Sequence, residues 1–178
     1  LLLENGSSET SGPMIAVVGG EALHASLAQR ILSLCYGGLL NCYGPTEATI
    51  WSHMNWVSLA EKKVYISHLL PGYLQFVVND RMELQPKGMV GELLLGGPSI
   101  ASGYLNNLEL NQNSFFINPF GKDKNDKVYR TGDLVIEREN GELEYIGRKD
   151  KQQKHRGYRI ELSESSHQND QPYEDSSS

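Results

Sequence analysis

Near residue 60 the hydrophobic pattern of this chain changes its period, and that change limits the fold more than any other feature. Before it, "MIAVV" (residues 14–18) is an apolar run closed by Gly19-Gly20, which predicts a buried strand. Leu23, Leu27, Ile31 and Leu34 then recur on one helical face, predicting an amphipathic helix over residues 21–36 that Gly37-Gly38 stops. "LLNCY" follows as a second short strand. Strand, helix, strand in one compact unit predicts a βαβ arrangement with a parallel sheet. Two strands and a helix leave a sheet face uncovered, so this half reads as a piece of something larger, with exposed apolar surface and poor solubility.

After residue 60 the runs are short or alternating: "YLQFVV", "GELLLGG" and "KVYRTGDLVIERENGELEYIG", cut by Gly, Pro, Asn and Asp. Asn140-Gly141 predicts a hairpin with a type I′ turn. This half is expected to be antiparallel β, forming a small barrel-like unit, with one short helix near residues 107–113. The expected fold class is thus α/β plus β-rich. The expected divisions are a linker at 1–13 ("ENGSSETSGP" lacks periodicity), an α/β part at 14–62 and a β-rich part at 63–147. The start of a further subdomain follows at 148–164, and a disordered polar tail at 165–178.

Composition removes several function classes. A net charge of −6 argues against a nucleic-acid binder, which normally shows a basic face. No apolar run is long enough to span a bilayer, and Leu1-Leu2-Leu3 is too short for a signal-peptide core. Cys35 and Cys42 make no disulfide framework and have no zinc-ligand spacing around them. Two ordinary thiols in a reducing, cytoplasmic compartment account for them.

Chemistry is carried by loops that follow strands. "GSSETSG" is glycine-rich, but a phosphate loop needs a lysine and none occurs before Lys62; a linker explains it. "VVGGEAL" sits where a strand ends and a helix begins, the edge at which α/β sheets bind ligands, although helix entry alone also explains it. "NCYGPTE" (residues 41–47) follows the second strand and shares that edge. Gly44-Pro45 makes a tight turn, Tyr43 can stack on a ring and Asn41 can bond a base edge. Thr46 can donate to a phosphate and Glu47 can hold magnesium; a polar turn is the competing explanation. "YRTGDL" places Asp133 in a Thr-Gly-Asp turn between strands, where its carboxylate suits a ribose diol or simply a β-turn. In "GRKDKQQKHRGYRIEL", Arg148 and Lys154 can meet phosphate or ribose oxygens, or belong to a solvated charged strand.

The order of these motifs, with "GELLLGGPSIASGYL" between "NCYGPTE" and "YRTGDL", resembles the series of the adenylate-forming, AMP-binding enzymes. Pro45 and the pattern Gln152 to Leu162 look most like the adenylation domains of nonribosomal peptide synthetases; the resemblance runs from about residue 14 to residue 164. Acyl-CoA ligases of the same superfamily are the alternative. The resemblance implies that a complete domain couples an amino acid to ATP, releasing pyrophosphate, and loads the phosphopantetheine thiol of a carrier domain. It implies adenine contacts for Gly20, Glu21, Ala22, Asn41 and Tyr43, an α-phosphate contact for Thr46 and magnesium (Mg2+) on Glu47. Asp133 would take the ribose, Arg148 and Lys154 ribose or phosphate, and Asp150 would be a hinge. Val17, Gly19, Cys42, Ile50 and Trp51 would line the substrate pocket, whose bulk suggests a small amino acid such as glycine.

The same resemblance exposes departures. The family's phosphate loop with its lysine, the aspartate that grips the substrate amino group and the C-terminal catalytic lysine have no counterpart here, so no catalytic residue is assigned. Past Leu162 the sequence reads "SESSHQND" where the family continues Gly-Glu-Ile-Glu, and Gln153 and His155 replace apolar residues. The 178 residues alone are expected to lack turnover, leaving a non-catalytic product as the contrasting possibility.

Overall fold

A computed structural model of the chain describes residues 14–60, 62–121, 126–149, 153–155 and 158–160. The linker at 1–13, the hinge candidate Asp150, the side chain of Lys154 and the tail at 165–178 lie outside that description.

Strand β1 (Ile15–Gly19) lies parallel to β2 (Gly38–Tyr43), in the register Val17 opposite Leu40 and Gly19 opposite Cys42. Helix α1 (Ala25–Leu32) connects them, completing the expected βαβ unit. It is shorter than residues 21–36. Gly20, at φ +89°, bends the chain, and no Ser, Thr, Asp or Asn stands at the N-cap, where His24 makes no side-chain cap bond. The buried face is also rotated from the expected one. Ala28 packs on Leu39 and Val57 with Leu23, Ile31 and Leu32 around it, while Leu27 and Leu34 are 40% and 54% exposed. Strand β3 (His53–Val57), which the sequence pattern does not announce, adds antiparallel to β2.

The second sheet is antiparallel and has five strands: β4 (Leu74–Val78), β5 (Val90–Gly96), β6 (Phe115–Ile117), β7 (Lys127–Glu137) and β8 (Leu143–Arg148). The order β4-β5-β7-β6, with β8 also on β7, gives the expected antiparallel barrel-like unit, and among the described residues it does not close into a barrel. Helix α2 (Leu108–Ser114) matches the expected short helix, capped by the Asn107 side chain, which accepts from the Leu110 N–H at 3.0 Å. Strands β9 (Gln153–His155) and β10 (Tyr158–Ile160) form a separate antiparallel pair.

Two local details differ from expectation for backbone reasons. At the β7–β8 hairpin the Gly141 N–H donates to Arg138 O at 2.9 Å, and Gly141 has φ +86° while Asn140 is not at positive φ. A type I′ turn needs both central residues at positive φ, so this is a longer loop whose glycine takes the left-handed place. Thr131-Gly132-Asp133 is no turn between strands. It is a bulge inside the single strand β7, where three residues face Leu93 and Gly132 takes φ +72°.

The halves share a core. Ala48, from the first half, is fully buried with Ile66, Val77, Leu93, Leu95, Val135 and Leu143, and Tyr43 packs against this cluster. Ile66 and Leu143 exchange backbone hydrogen bonds at 2.8 and 2.7 Å. Among the described residues no helix is long and apolar enough to cross a membrane.

α1 covers one face of the first sheet. On the other face Val17, Leu40 and Trp56 stand in register, and Ile15, Val17 and Trp56 are 53%, 50% and 57% exposed. This apolar strip is expected to bind 8-anilinonaphthalene-1-sulfonate and to promote association. Trp56→Ser should lower dye fluorescence and raise the soluble fraction in sedimentation, with little change in melting temperature because the ring is already exposed.

Candidate functional site

β2 ends at Tyr43 and the chain then turns sharply. A β-carbon on Gly44 would lie 2.5 Å from Ile50 O and 2.7 Å from Ser52 N, so only glycine fits the turn. Ser52 N–H closes the loop on Tyr43 O at 2.9 Å. Inside it, Thr46–Ala48 form one 3-10 turn. Thr49 and Ile50 follow at φ +54° and +72°, a conformation that costs a β-branched residue dearly and that gathers at working sites.

The turn delivers Tyr43 to Asp133. The phenol donates to Asp133 Oδ2 at 2.5 Å, and the Arg148 guanidinium holds Oδ1 at 3.1 Å while also donating to Thr131 O at 3.0 Å. The β7 bulge aims the carboxylate: Thr131 Oγ1 donates to Leu93 O at 2.7 Å and accepts from the Asp133 N–H at 3.0 Å. Burial, and then the negative charge of Asp133, push the Tyr43 phenol well above its ordinary range, so it stays a neutral donor.

These groups line a cleft of about 1020 Å3 between the two sheets. Gly20, Glu21 and Ala22, at the end of β1, form another lip, with Asn41 and Cys42 beside Tyr43. The cleft therefore gathers, from motifs up to 128 positions apart, eight of the residues singled out in the sequence (Gly20 to Arg148). Asn41 is buried, and its amide donates to Tyr65 O at 3.4 Å. Cys42 is buried too, which pushes its thiol up and keeps it protonated.

Other candidates do not line this cleft. Thr46 is exposed at the head of the 3-10 turn. Glu47 is buried and accepts from the Tyr104 hydroxyl at 2.5 Å. Val17, Ile50 and Trp51 are exposed, and Gly19 is pressed against β2, where a β-carbon would meet Cys42 O at 2.6 Å. The backbone of Lys154 lies in β9.

The structure adds residues that sequence reading missed. Lys62, Lys63 and Tyr145 line the cleft, and Lys63 is paired with Glu144 at 2.5 Å. Nothing in "EKKV" marks those lysines, since spacing within a loop does not report which sheet it faces. Tyr104, too, carried no signal beyond its place in a motif.

This geometry can be set beside known proteins. The model of the AMP-binding enzyme family matches residues 2–105. The chain belongs to that family. It is 43% identical over 154 residues to malpinin synthetase of Mortierella alpina, covering 83% of this chain and 2% of that protein. It is 40% identical over 148 residues to gramicidin S synthase 2 of Aneurinibacillus migulanus, covering 83% of this chain and 3% of that one. Among solved structures it resembles PA1221, an NRPS protein containing adenylation and PCP domains, with a TM-score of 0.77 and 30% identity over 86% of this chain and 32% of that one. The Vibrio cholerae adenylation domain AlmE gives a TM-score of 0.77 and 31% identity over 92% of this chain and 32% of that one. The chain thus spans a few hundredths of these synthetases and about a third of the solved adenylation structures.

The resemblance implies magnesium on Glu47, whose carboxylate lies off the cleft lining and accepts from Tyr104. Among the described residues no group of three or more His, Cys, Asp or Glu gathers to hold a metal by itself. Magnesium bound with a nucleotide takes one or two protein carboxylates and completes its shell with phosphates and water, and Glu47 offers one carboxylate.

Two outcomes are expected. Gly132→Ala places a side chain at φ +72° and should cost about 1–2 kcal/mol, read as a lower urea midpoint, because the bulge has no other way to aim Asp133. The second concerns His53, which is buried, with Nδ1 2.9 Å from Ser52 Oγ, Nε2 2.8 Å from Gln75 Oε1 and its ring edge-on to Tyr43. Burial lowers its pKa below the ordinary 6.5. The unfolded chain then binds a proton that the folded chain refuses, so this contribution is complete above pH 6.5 and is lost as pH falls from there toward the folded value. Stability measured by urea titration between pH 7.5 and 5 should fall, and His53→Gln should flatten that slope.

Proposed function

We propose that this chain is part of an amino-acid adenylation domain and forms the adenine, ribose and magnesium corner of its site. The observation that carries this reading is the Tyr43–Asp133–Arg148 contact, which joins three distant motifs on one cleft. Adenine would lie on the Tyr43 ring between Asn41 and the Gly20–Ala22 lip. Asp133 would accept from the ribose hydroxyls, its present donors giving way or sharing, and Arg148, with Lys154, would face ribose or phosphate oxygens. Thr46 would donate to the α-phosphate. Glu47 would hold magnesium, which supplies positive charge against the phosphates as the substrate carboxylate attacks the α-phosphorus and pyrophosphate leaves.

In the complete domain the product would be an aminoacyl-adenylate, passed to the phosphopantetheine thiol of a carrier domain. The adenylation-and-PCP architecture of PA1221 supports a carrier partner. Val17, Gly19, Cys42, Ile50 and Trp51 are proposed as the side-chain pocket. The bulk of Ile50 and Trp51 favours a small substrate such as glycine, and AlmE was solved in complex with glycyl-adenosine-5′-phosphate. The proposed divisions remain 14–62 for the α/β part, 63–147 for the β-rich part and 148–164 for the start of a mobile subdomain pivoting at Asp150. Buried free thiols at Cys35 and Cys42 accord with a cytoplasmic setting.

The 178 residues alone are proposed to bind nucleotide weakly and not to turn over, because the family's phosphate loop and catalytic lysine have no counterpart in them. Amino-acid-dependent exchange of pyrophosphate into ATP tests both statements. No exchange is expected from this chain and exchange from a version extended at both ends. Exchange by the short chain overturns its inactivity. Silence of the extended protein with every amino acid overturns the activity, and exchange with fatty or aryl acids alone would make it an acyl-CoA ligase.

A further inference from the structure

The segment "GGPSIASGYL" (residues 96–105) belongs to the motif series, yet none of its residues lines the cleft. It wraps instead around the turn that carries Glu47. Ala101 N–H donates to Glu47 O at 2.8 Å, Thr49 Oγ1 donates to Ser99 O at 2.7 Å, and the Tyr104 hydroxyl donates to Glu47 Oε1 at 2.5 Å. Backbone and side chain of Glu47 are thus both held from one loop.

Tyr104 is itself held with unusual care. Its N–H donates to Asn111 Oδ1 at 2.5 Å, and the Asn111 amide donates back to Tyr104 O at 2.8 Å. Gly103 permits this approach: it sits at φ +148°, and a β-carbon there would lie 2.7 Å from Asn111 Oδ1. The Tyr104 ring packs edge-on to Phe115 at 5.3 Å, and its hydroxyl lies 3.5 Å from that of Tyr129, which is 2% exposed. Helix α2, which bears Asn111, therefore acts on Glu47 through the Tyr104 hydroxyl.

The chemistry of that hydroxyl matters. Glu47 is 6% exposed, and a carboxylate at that depth must be hydrogen-bonded. A lysine or arginine would satisfy it but would also compete with a cation. A phenol fixes the carboxylate's orientation and leaves its charge.

We propose that Tyr104 is a positioning residue for Glu47, holding the carboxylate in the orientation that receives the nucleotide's divalent cation, with α2 and Asn111 as its support. This rests on the reading of Glu47 as the cation ligand. The support of a metal-binding carboxylate commonly matters tenfold or more in metal affinity.

The test uses the full chain with ATP and Mn2+ as probe, reading the ternary complex by water-proton relaxation and metal-free ATP affinity by equilibrium dialysis. Glu47→Gln should remove the Mn2+-dependent gain. Tyr104→Phe should weaken Mn2+ binding about tenfold or more while leaving metal-free ATP affinity near that of the parent, and it should also lower the melting temperature because the buried carboxylate loses a donor. Gly103→Ala keeps the hydroxyl but displaces it, should act in the same direction, and decides the matter should Tyr104→Phe fail to fold. Parental Mn2+ affinity in Tyr104→Phe, with the gain lost in Glu47→Gln, overturns the role of Tyr104 and leaves that of Glu47. Equal loss of metal-free and metal-dependent affinity makes Tyr104 merely structural and also overturns the inference. Parental Mn2+ affinity in Glu47→Gln, or no Mn2+-dependent gain in the parent, overturns the reading of Glu47 and the inference with it.

Discussion

Asp133 is 7% exposed and carries a charge, and the arrangement of both sheets around it follows from that burden. A buried carboxylate is strongly unfavourable unless its oxygens are satisfied. Here Tyr43 comes from the end of β2 in the first sheet and Arg148 from the end of β8 in the second. The carboxylate thus works as a pin between sheets that share no strand. The cleft opens where the pin sits, so the group that secures the architecture also floors the site.

The contacts around the pin make the halves interdependent. Tyr73 donates to Ala48 O at 2.6 Å, and the His53 ring reaches Gln75 of β4. Each bond ties the 44–53 segment to the β-rich part. Gly44 and the positive-φ pair Thr49 and Ile50 are tolerated because this frame overdetermines the loop.

A second polar cluster explains charges that look functional in the sequence. Glu92, in "GEL", is 4% exposed and takes both Nε and Nη2 of Arg130, at 3.0 and 2.9 Å, from "YRTGDL". Lys149, next to Arg148, bonds Glu92 at 3.2 Å and Asp80 at 2.6 Å. Three motifs are thereby stapled at the end of β8. The fork geometry suits arginine, and the Glu92 hydrogen bond raises its pKa further, keeping it charged. Part of the basic run after residue 147 is therefore structural, while Arg148, one residue earlier than Lys149, faces the cleft.

The sequence by itself determined most of the elements, though not β3, and the order of the motifs. The apolar runs "MIAVV" and "LLNCY" on either side of a helical period marked parallel strands, "GELLLGG" a short run of the antiparallel half, and Gly44-Pro45 a tight turn after Tyr43. Those are local properties, written in spacing over a few residues. Only the tertiary structure decided that the second sheet stays open, that Thr131–Asp133 is a bulge, that α1 buries Ala28 rather than Leu27, and that Glu47 leans on Tyr104. Tyr43 and Asp133 are 90 positions apart and Glu47 and Tyr104 are 57 apart. Such meetings depend on strand register, where a slip of one residue turns every side chain to the opposite face, and no period within a single strand records which neighbour it will meet.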